Sequence, residues 1–261
     1  MARLQPRCSQ SPTPQIAKHL LITGASGALG RALALYHAGP DTVLSLWGRN
    51  EARLADTAEA ARAAGAEASE RSLDLTDCDA AVAALVAEDS ETAFDVVYLV
   101  AGIGDVCPAG ALVEPPEQVA RVVQTNFTAP AAMATAMAQR MAKRGRGRIV
   151  IIGSAAGHHA LPSAASYAAS KAGLARFAEA LRIAMKPHGV SVVLVAPGFI
   201  ASGADKRPMA IPVEVAARRI AQAAERGKRH YVTPWPFSAL RFLDKLLPTF
   251  LRDRVLAAIK P

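Results

Sequence analysis

Residues 20–30, LLITGASGALG, constrain this chain more than any other stretch. Leu20, Leu21 and Ile22 form a continuous apolar run, the pattern of a strand buried on both faces. Ala28, Leu29, Ala32, Leu33 and Leu35 then recur at helical spacing. Between strand and helix stand Gly24, Gly27 and Gly30. A turn of this kind delivers a pyrophosphate to the positive end of a helix. The first glycine permits the tight turn, the second lets backbone approach the ligand, and the third lets helix pack closely on strand. The expectation is a dinucleotide site using Gly24, Ser26, Gly27, Leu29 and Gly30.

Strand and helix go on alternating. Residues 42–47 (TVLSLW) read as a second strand, and Asn50 as the N-cap of a helix that stops at Gly65. A third strand at 67–73, a helix at 77–89 and a fourth strand at 94–100 (FDVVYLV) follow. One long alanine-rich helical region covers about 116–144, then a fifth strand 148–152, a helix 163–186, a sixth strand 191–196 and a last strand HYVT at 230–233. This order predicts an α/β fold, a doubly wound and mostly parallel sheet with helices on both faces. Ligands of such sheets bind beyond the carboxyl ends of the strands. There the chain places Gly48 and Arg49, Asp74, Ala101 and Gly102, and Gly153 and Ser154.

At 261 residues and 51% apolar composition, one catalytic domain is expected over 19–240, with an N-terminal extension at 1–18 and a helical tail at 241–261. Cys8, Cys78 and Cys107 form no CxxC pair and no histidine clusters beside them, so neither a disulfide framework nor a metal site is expected. That cysteine usage suits a reducing cytoplasm, and no secretory leader or membrane span is legible. The net charge of +8 is spread in ones and twos among few aromatics, the pattern of a solvated basic surface, so no nucleic-acid partner is expected.

Tyr167 and Lys171, in SYAASK, lie four residues apart on one helical face. An ammonium beside a phenol favours the phenolate, which makes tyrosine usable as an acid or base near neutral pH. Ser154, at the end of the fifth strand, could hydrogen-bond the oxygen that gains or loses the proton. Taken together, TGASGALG, Ser154 thirteen residues before Tyr167, YAASK, and PGFIAS at 197–202 resemble the short-chain dehydrogenase/reductase family over about residues 19–233. The resemblance implies a Rossmann-type fold. It also implies a catalytic tetrad of Asn126, Ser154, Tyr167 and Lys171, an adenine contact at Asp74, a nicotinamide loop at Pro197 and Gly198, and cofactor contacts from Ala101, Gly102, Tyr167 and Lys171. Two features depart from the family. Gly27 and Ala28 stand where a variable residue and the middle glycine are usual, a spacing that resembles the extended branch of epimerases and dehydratases. Leu99-Val100-Ala101-Gly102 replaces Asn-Asn-Ala-Gly, so support for the central strand must come from elsewhere.

The reading is an NADP(H)-dependent oxidoreductase interconverting an apolar ketone or aldehyde and its alcohol. An extended-branch epimerase or dehydratase is one alternative, and a non-catalytic NADP(H)-sensing protein is another. NADP(H) is expected over NAD(H), because Gly48 and Arg49 occupy the place where NAD enzymes of this fold carry an acid. His158 and His159 fall in the loop before Tyr167 and read as surface residues or as pocket lining. Residues 199–212 suggest a mobile apolar lid. Alanines on several faces of the 126–144 and 163–186 helices, with the family's habit of pairing them, imply a homodimer or homotetramer. In the tail, Leu243, Leu246, Leu247, Phe250, Leu251, Val255 and Ile259 form an apolar stripe broken at Pro248, opposite Arg241, Lys245, Arg252, Arg254 and Lys260. Burial on the protein itself or a partner subunit is expected first; attachment to an anionic membrane surface is the alternative.

Overall fold

The structure, a computed structural model, describes residues 18–104, 106–201, 209–236 and 248–258, apart from the side chains of 255, 257 and 258. Cys8, most of the N-terminal extension, Ser202, Phe237 and the tail before Pro248 lie outside the described residues, as do Ile259 and Lys260. The chain alternates β1 (Lys18–Thr23), α1 (Ala28–His37), β2 (Thr42–Gly48), α2 (Glu51–Ala63), β3 (Glu67–Ser72), α3 (Cys78–Glu91) and β4 (Val96–Leu99). It continues with α4 (Pro116–Val123), α5 (Ala129–Lys143), β5 (Gly147–Ile152), α6 (Ala165–Met185), β6 (Val190–Pro197), β7 (Ile200–Ala201), β8 (Ile211–Pro212), α7 (Val213–Glu225), β9 (His230–Thr233) and α8 (Thr249–Ala258). Lys18, expected in the extension, is the first residue of β1.

Seven strands form a parallel sheet in the order β3-β2-β1-β4-β5-β6-β9. Successive side chains of a strand point to opposite faces, so β1 sends Leu20 and Ile22 one way and Leu21 the other. Leu20 and Ile22 pack in one buried cluster with Leu33 of α1, Leu54 of α2 and Ile220 of α7. Leu21 packs in a second with Leu85 of α3, Met133 of α5 and Leu174 of α6. The two clusters are the two helical layers expected of a doubly wound sheet. Strand order reverses between β1 and β4, the place where such sheets open a ligand crevice.

Local chemistry explains the boundaries. Asn50 accepts a hydrogen bond from the Arg53 amide at 2.9 Å and Asp77 from the Ala80 amide at 3.0 Å, so each caps the helix that follows. The fourth strand is shorter than its apolar run, because side chains take its flanking amides. Buried Asp89 accepts from Phe94 N at 2.9 Å and is neutralised by Arg140 at 2.5 Å and Arg144 at 2.9 Å. At the other end the Val100 amide donates to the Thr23 hydroxyl.

The long helical region expected at 116–144 is not one helix. A π-helical turn, Gln124–Thr128, separates α4 from α5, and the Ala129 amide donates to Gln124 O. Pro130 has no N–H to offer the Asn126 carbonyl four residues back, so the regular ladder is interrupted there. This turn carries Asn126.

Candidate active site

The glycine turn behaves as its spacing implies. Gly24 has φ +71°, and a Cβ there would stand 2.9 Å from Ala101 Cα, so β1 and β4 meet across it. A Cβ on Gly30 would fall 2.2 Å from Gly24 O, which makes this the packing glycine. At Gly27 a Cβ would meet only Gly24 O, at 3.3 Å, leaving bare backbone toward the crevice. Gly27 is also the N-cap of α1 and makes no side-chain capping bond, so the first amides of the helix are left for a ligand. Together these features fit a dinucleotide phosphate.

Beyond the turn lies a cleft of about 400 Å³. Its walls include Gly24, Ser26, Gly27, Leu29 and Gly30 from the first βα turn, Arg49 after β2, Asp74 after β3, and Ala101 and Gly102 after β4. Arg49 Nη1 stands 3.9 Å from Asp74 Oδ2, and both side chains are more than half exposed. Asp74 accepts the Thr76 amide at 2.9 Å, and that bond, ahead of Arg49, holds its carboxyl below the usual carboxylate range. A Cβ on Gly48 would lie 2.6 Å from Ser26 Oγ, so no acid fits there without displacing Ser26.

Two of the candidate catalytic residues, Asn126 and Lys171, lie beside this cleft. Buried Lys171 donates to Ile152 O at 3.0 Å, and burial lowers its pKa from 10.5 to about 8. Its ammonium lies 6.0 Å from the centre of the Tyr167 ring. A Cβ on Gly102, in the cleft wall, would meet Asn126 Oδ1 at 3.1 Å and Lys171 Nζ at 3.3 Å. Lys171 and Asn126 therefore stand directly behind the cofactor cleft. Ser154 opens the 3-10 turn Ala155–His158 and accepts the Ala156 amide at 3.2 Å, leaving its own O–H to donate. That turn lies on α6: a Cβ on Gly157 would be 2.9 Å from the Lys171 carbonyl carbon. Ser154, Tyr167, Pro197 and Gly198 lie outside the cleft walls, with Pro197 and Gly198 at the carboxyl end of β6, where Gly198 N donates to Thr233 O at 2.8 Å.

The Asn126 side chain holds the backbone of a single residue. Its amide is engaged at both ends by one residue, accepting from Ile103 N and donating to Ile103 O, each at 2.8 Å. Thr23 Oγ1 accepts from Val100 N at 3.0 Å and Ala101 N at 3.2 Å. These two side chains support the end of β4 that lacks the family's asparagines. Thr23 and Arg53, which also line the cleft, were not singled out in the sequence. Arg53 stands four residues past Arg49, a spacing that could have marked it; Thr23 stood only as the first residue of the motif TGASGALG.

His158 and His159 are half-buried rather than surface residues, and they line a second cavity of about 570 Å³ with Leu161, Ala168 and Leu256. The His158 ring lies 5.8 Å from that of His230. Leu256 of α8, which is not part of the expected stripe, is buried, whereas the stripe residues Phe250 and Leu251 are exposed. The described part of 199–212 contains β7 paired with β8. No helix among the described residues is long and apolar enough to cross a membrane, and no group of side chains there could hold a metal ion.

A glycine turn opening on a cleft at the carboxyl ends of a parallel sheet, with Lys171 behind one wall, is the arrangement of a dinucleotide-binding domain. A sequence profile of the short chain dehydrogenase family matches residues 18–209. An uncharacterised oxidoreductase of Myxococcus xanthus is 35% identical over 239 residues, 89% of this chain and 94% of that protein. Epidermal retinol dehydrogenase 2 of Mus musculus is 30% identical over 244 residues, 88% of this chain and 78% of that protein. Among solved structures, a metagenomic short-chain oxidoreductase in complex with NADP superposes with a TM-score of 0.73 at 27% identity, covering 83% of this chain and 96% of that one. The chain belongs to the short-chain dehydrogenase family, and with it to the oxidoreductases that act on CH–OH groups.

Proposed function

We propose that the protein interconverts an apolar ketone or aldehyde and the corresponding alcohol, using NADP(H) in preference to NAD(H). The observation that carries the reading is the convergence on Gly102, a residue of the cleft wall on which a Cβ would meet Lys171 Nζ at 3.3 Å. When bound, the nicotinamide supplies or accepts the hydride. Tyr167 donates the proton to the carbonyl oxygen in reduction and removes it in oxidation. Ser154, through its free O–H, polarises the same oxygen. Lys171 places positive charge 6.0 Å from the centre of the phenol ring. Asn126 fixes Ile103 and thereby the backbone of Gly102 against the lysine.

Arg49 and Arg53 at the far end of the cleft suit a 2′-phosphate, and Ser26 excludes an acid from position 48. The NADP-bound neighbour agrees with this choice. An apolar substrate is favoured by the retinol dehydrogenase relative and by exposed Phe199 and Met209 near the nicotinamide end. Pairing of α5 and α6 into a homodimer or homotetramer belongs to the same reading, as does a cytoplasmic setting. The test is a panel of ketones, aldehydes and alcohols followed by NADPH and NADH absorbance. Turnover of apolar carbonyls with NADPH favoured is the expected result. Absence of turnover on every compound, with tight NADPH binding, would instead support the sensing role.

A further inference from the structure

The helix that carries Tyr167 and Lys171 begins without a cap of its own. Ala164 at its N-cap makes no side-chain capping bond, and its first turn holds no acidic residue. Uncapped first-turn amides weaken a helix start. The missing partner arrives from 52 residues away. Glu114, in the loop between β4 and α4, is buried against α6. Its Oε2 accepts from the Ser166 amide at 2.8 Å, and its Oε1 accepts from Ser166 Oγ at 2.6 Å and Gln118 Nε2 at 3.3 Å. Gln118 also donates to Val106 O at 3.0 Å, and Cys107 N donates to Ser163 O at 2.7 Å, so the same loop is tied to the start of α6 at several points.

We propose that Glu114 is a positioning residue for Tyr167, acting through Ser166, the residue before it. The helix is held on both sides of the tyrosine. Glu114 holds Ser166, and the Ile152 carbonyl holds Lys171 one turn later. Two such points fix the rotation of the helix about its axis, and with it the direction in which the phenol leaves the backbone. A carboxylate at this end is further favoured by the helix dipole. Loss of the first point lets the opening turn fray, and small misplacements of a reacting group cost orders of magnitude in rate.

This inference rests on Tyr167 as the acid/base group, and a double-mutant cycle separates the two claims. Wild type, Glu114→Gln, Tyr167→Phe and the double variant are assayed by single-turnover NADPH oxidation with phenanthrenequinone, an activated dicarbonyl. NADPH affinity by fluorescence and Tm are measured beside them. Glu114→Gln is expected to lower the rate about tenfold with NADPH affinity unchanged. In the Tyr167→Phe background the same change should alter the rate less than about twofold, because there is no proton donor left to misplace. Ser166→Ala, which leaves the carboxylate in place but removes one bond to it, should reproduce a smaller loss. A Glu114→Gln rate equal to wild type, or an equal loss in both backgrounds, overturns the proposal and leaves Glu114 as a structural cap. A wild type that does not oxidise NADPH with the quinone, or an undiminished Tyr167→Phe, counts against the catalytic reading instead.

Discussion

Thr23→Val isolates the device by which this chain supports β4 without the family's asparagines. The substitution preserves shape but replaces a hydroxyl that accepts from two amides, Val100 N and Ala101 N. Thr23 is 1% exposed, so water does not readily replace the lost acceptor. A buried donor left facing a methyl group costs roughly 1–3 kcal/mol, and two of them give an expected loss of about 2–6 kcal/mol. The same amides lead directly into Ala101 and Gly102, so NADPH should also bind more weakly. Thr23→Ser retains the hydroxyl and should lose only about 1 kcal/mol for the methyl group. Urea denaturation and NADPH fluorescence on both variants give the comparison. A Thr23→Val protein within about 0.5 kcal/mol of wild type, with unchanged NADPH affinity, would refute the assignment of Thr23 as the support.

Gly30→Ala places a Cβ against Gly24 O, so it should weaken NADPH binding and lower stability by at least about 1–3 kcal/mol, read by fluorescence titration and denaturation. Arg49→Ala should raise the KM for NADPH about tenfold with little effect on NADH, consistent with losing one solvent-exposed charge-assisted contact; equal effects would remove the 2′-phosphate assignment. His37, its Nε2 2.9 Å from the Tyr98 hydroxyl, has its pKa lowered by burial, with a smaller effect of Lys18, from 6.5 to about 4. The unfolded chain therefore binds more protons than the folded one between those values, so stability should fall as pH drops from 6.5 to 4 and level off below. His37→Gln should flatten part of that slope; buried His19, also lowered mainly by desolvation, accounts for a further part. Light scattering at micromolar concentration should give a dimer or tetramer mass, and a strict monomer would refute pairing of α5 and α6.

What could be read in advance follows the range of the interactions involved. The glycine turn is largely local: Gly27 and Gly30 both face Gly24 O, and only the close approach of Gly24 to Ala101 reaches across the sheet. Asn50 and Asp77 cap the helices they immediately precede, so they too were legible. The π-helical turn at Asn126 was not, because alanine-rich flanks masked the effect of Pro130. Nor was the cap of α6. Glu114 and Ser166 are 52 residues apart, and nothing in either segment alone marks the pair. Thr23 was hidden for the same reason, since its partners lie 77 and 78 positions away. For His158 and His159 the loop left both surface exposure and pocket lining open, and residues of α6 and α8 line a cavity with them.

The central claim, hydride exchange at a carbonyl with Tyr167 moving the proton, is tested most directly with NADPH deuterated at the reactive carbon of the nicotinamide. Wild-type enzyme and Tyr167→Phe are incubated with a carbonyl that the panel identifies, and the product is examined by mass spectrometry and NMR. The account predicts one deuterium on the carbinol carbon, NADPH consumed in equal amount, and a rate lower by about two to four orders of magnitude in Tyr167→Phe. Product formed without deuterium or net loss of NADPH, or an undiminished rate in the variant, would contradict it.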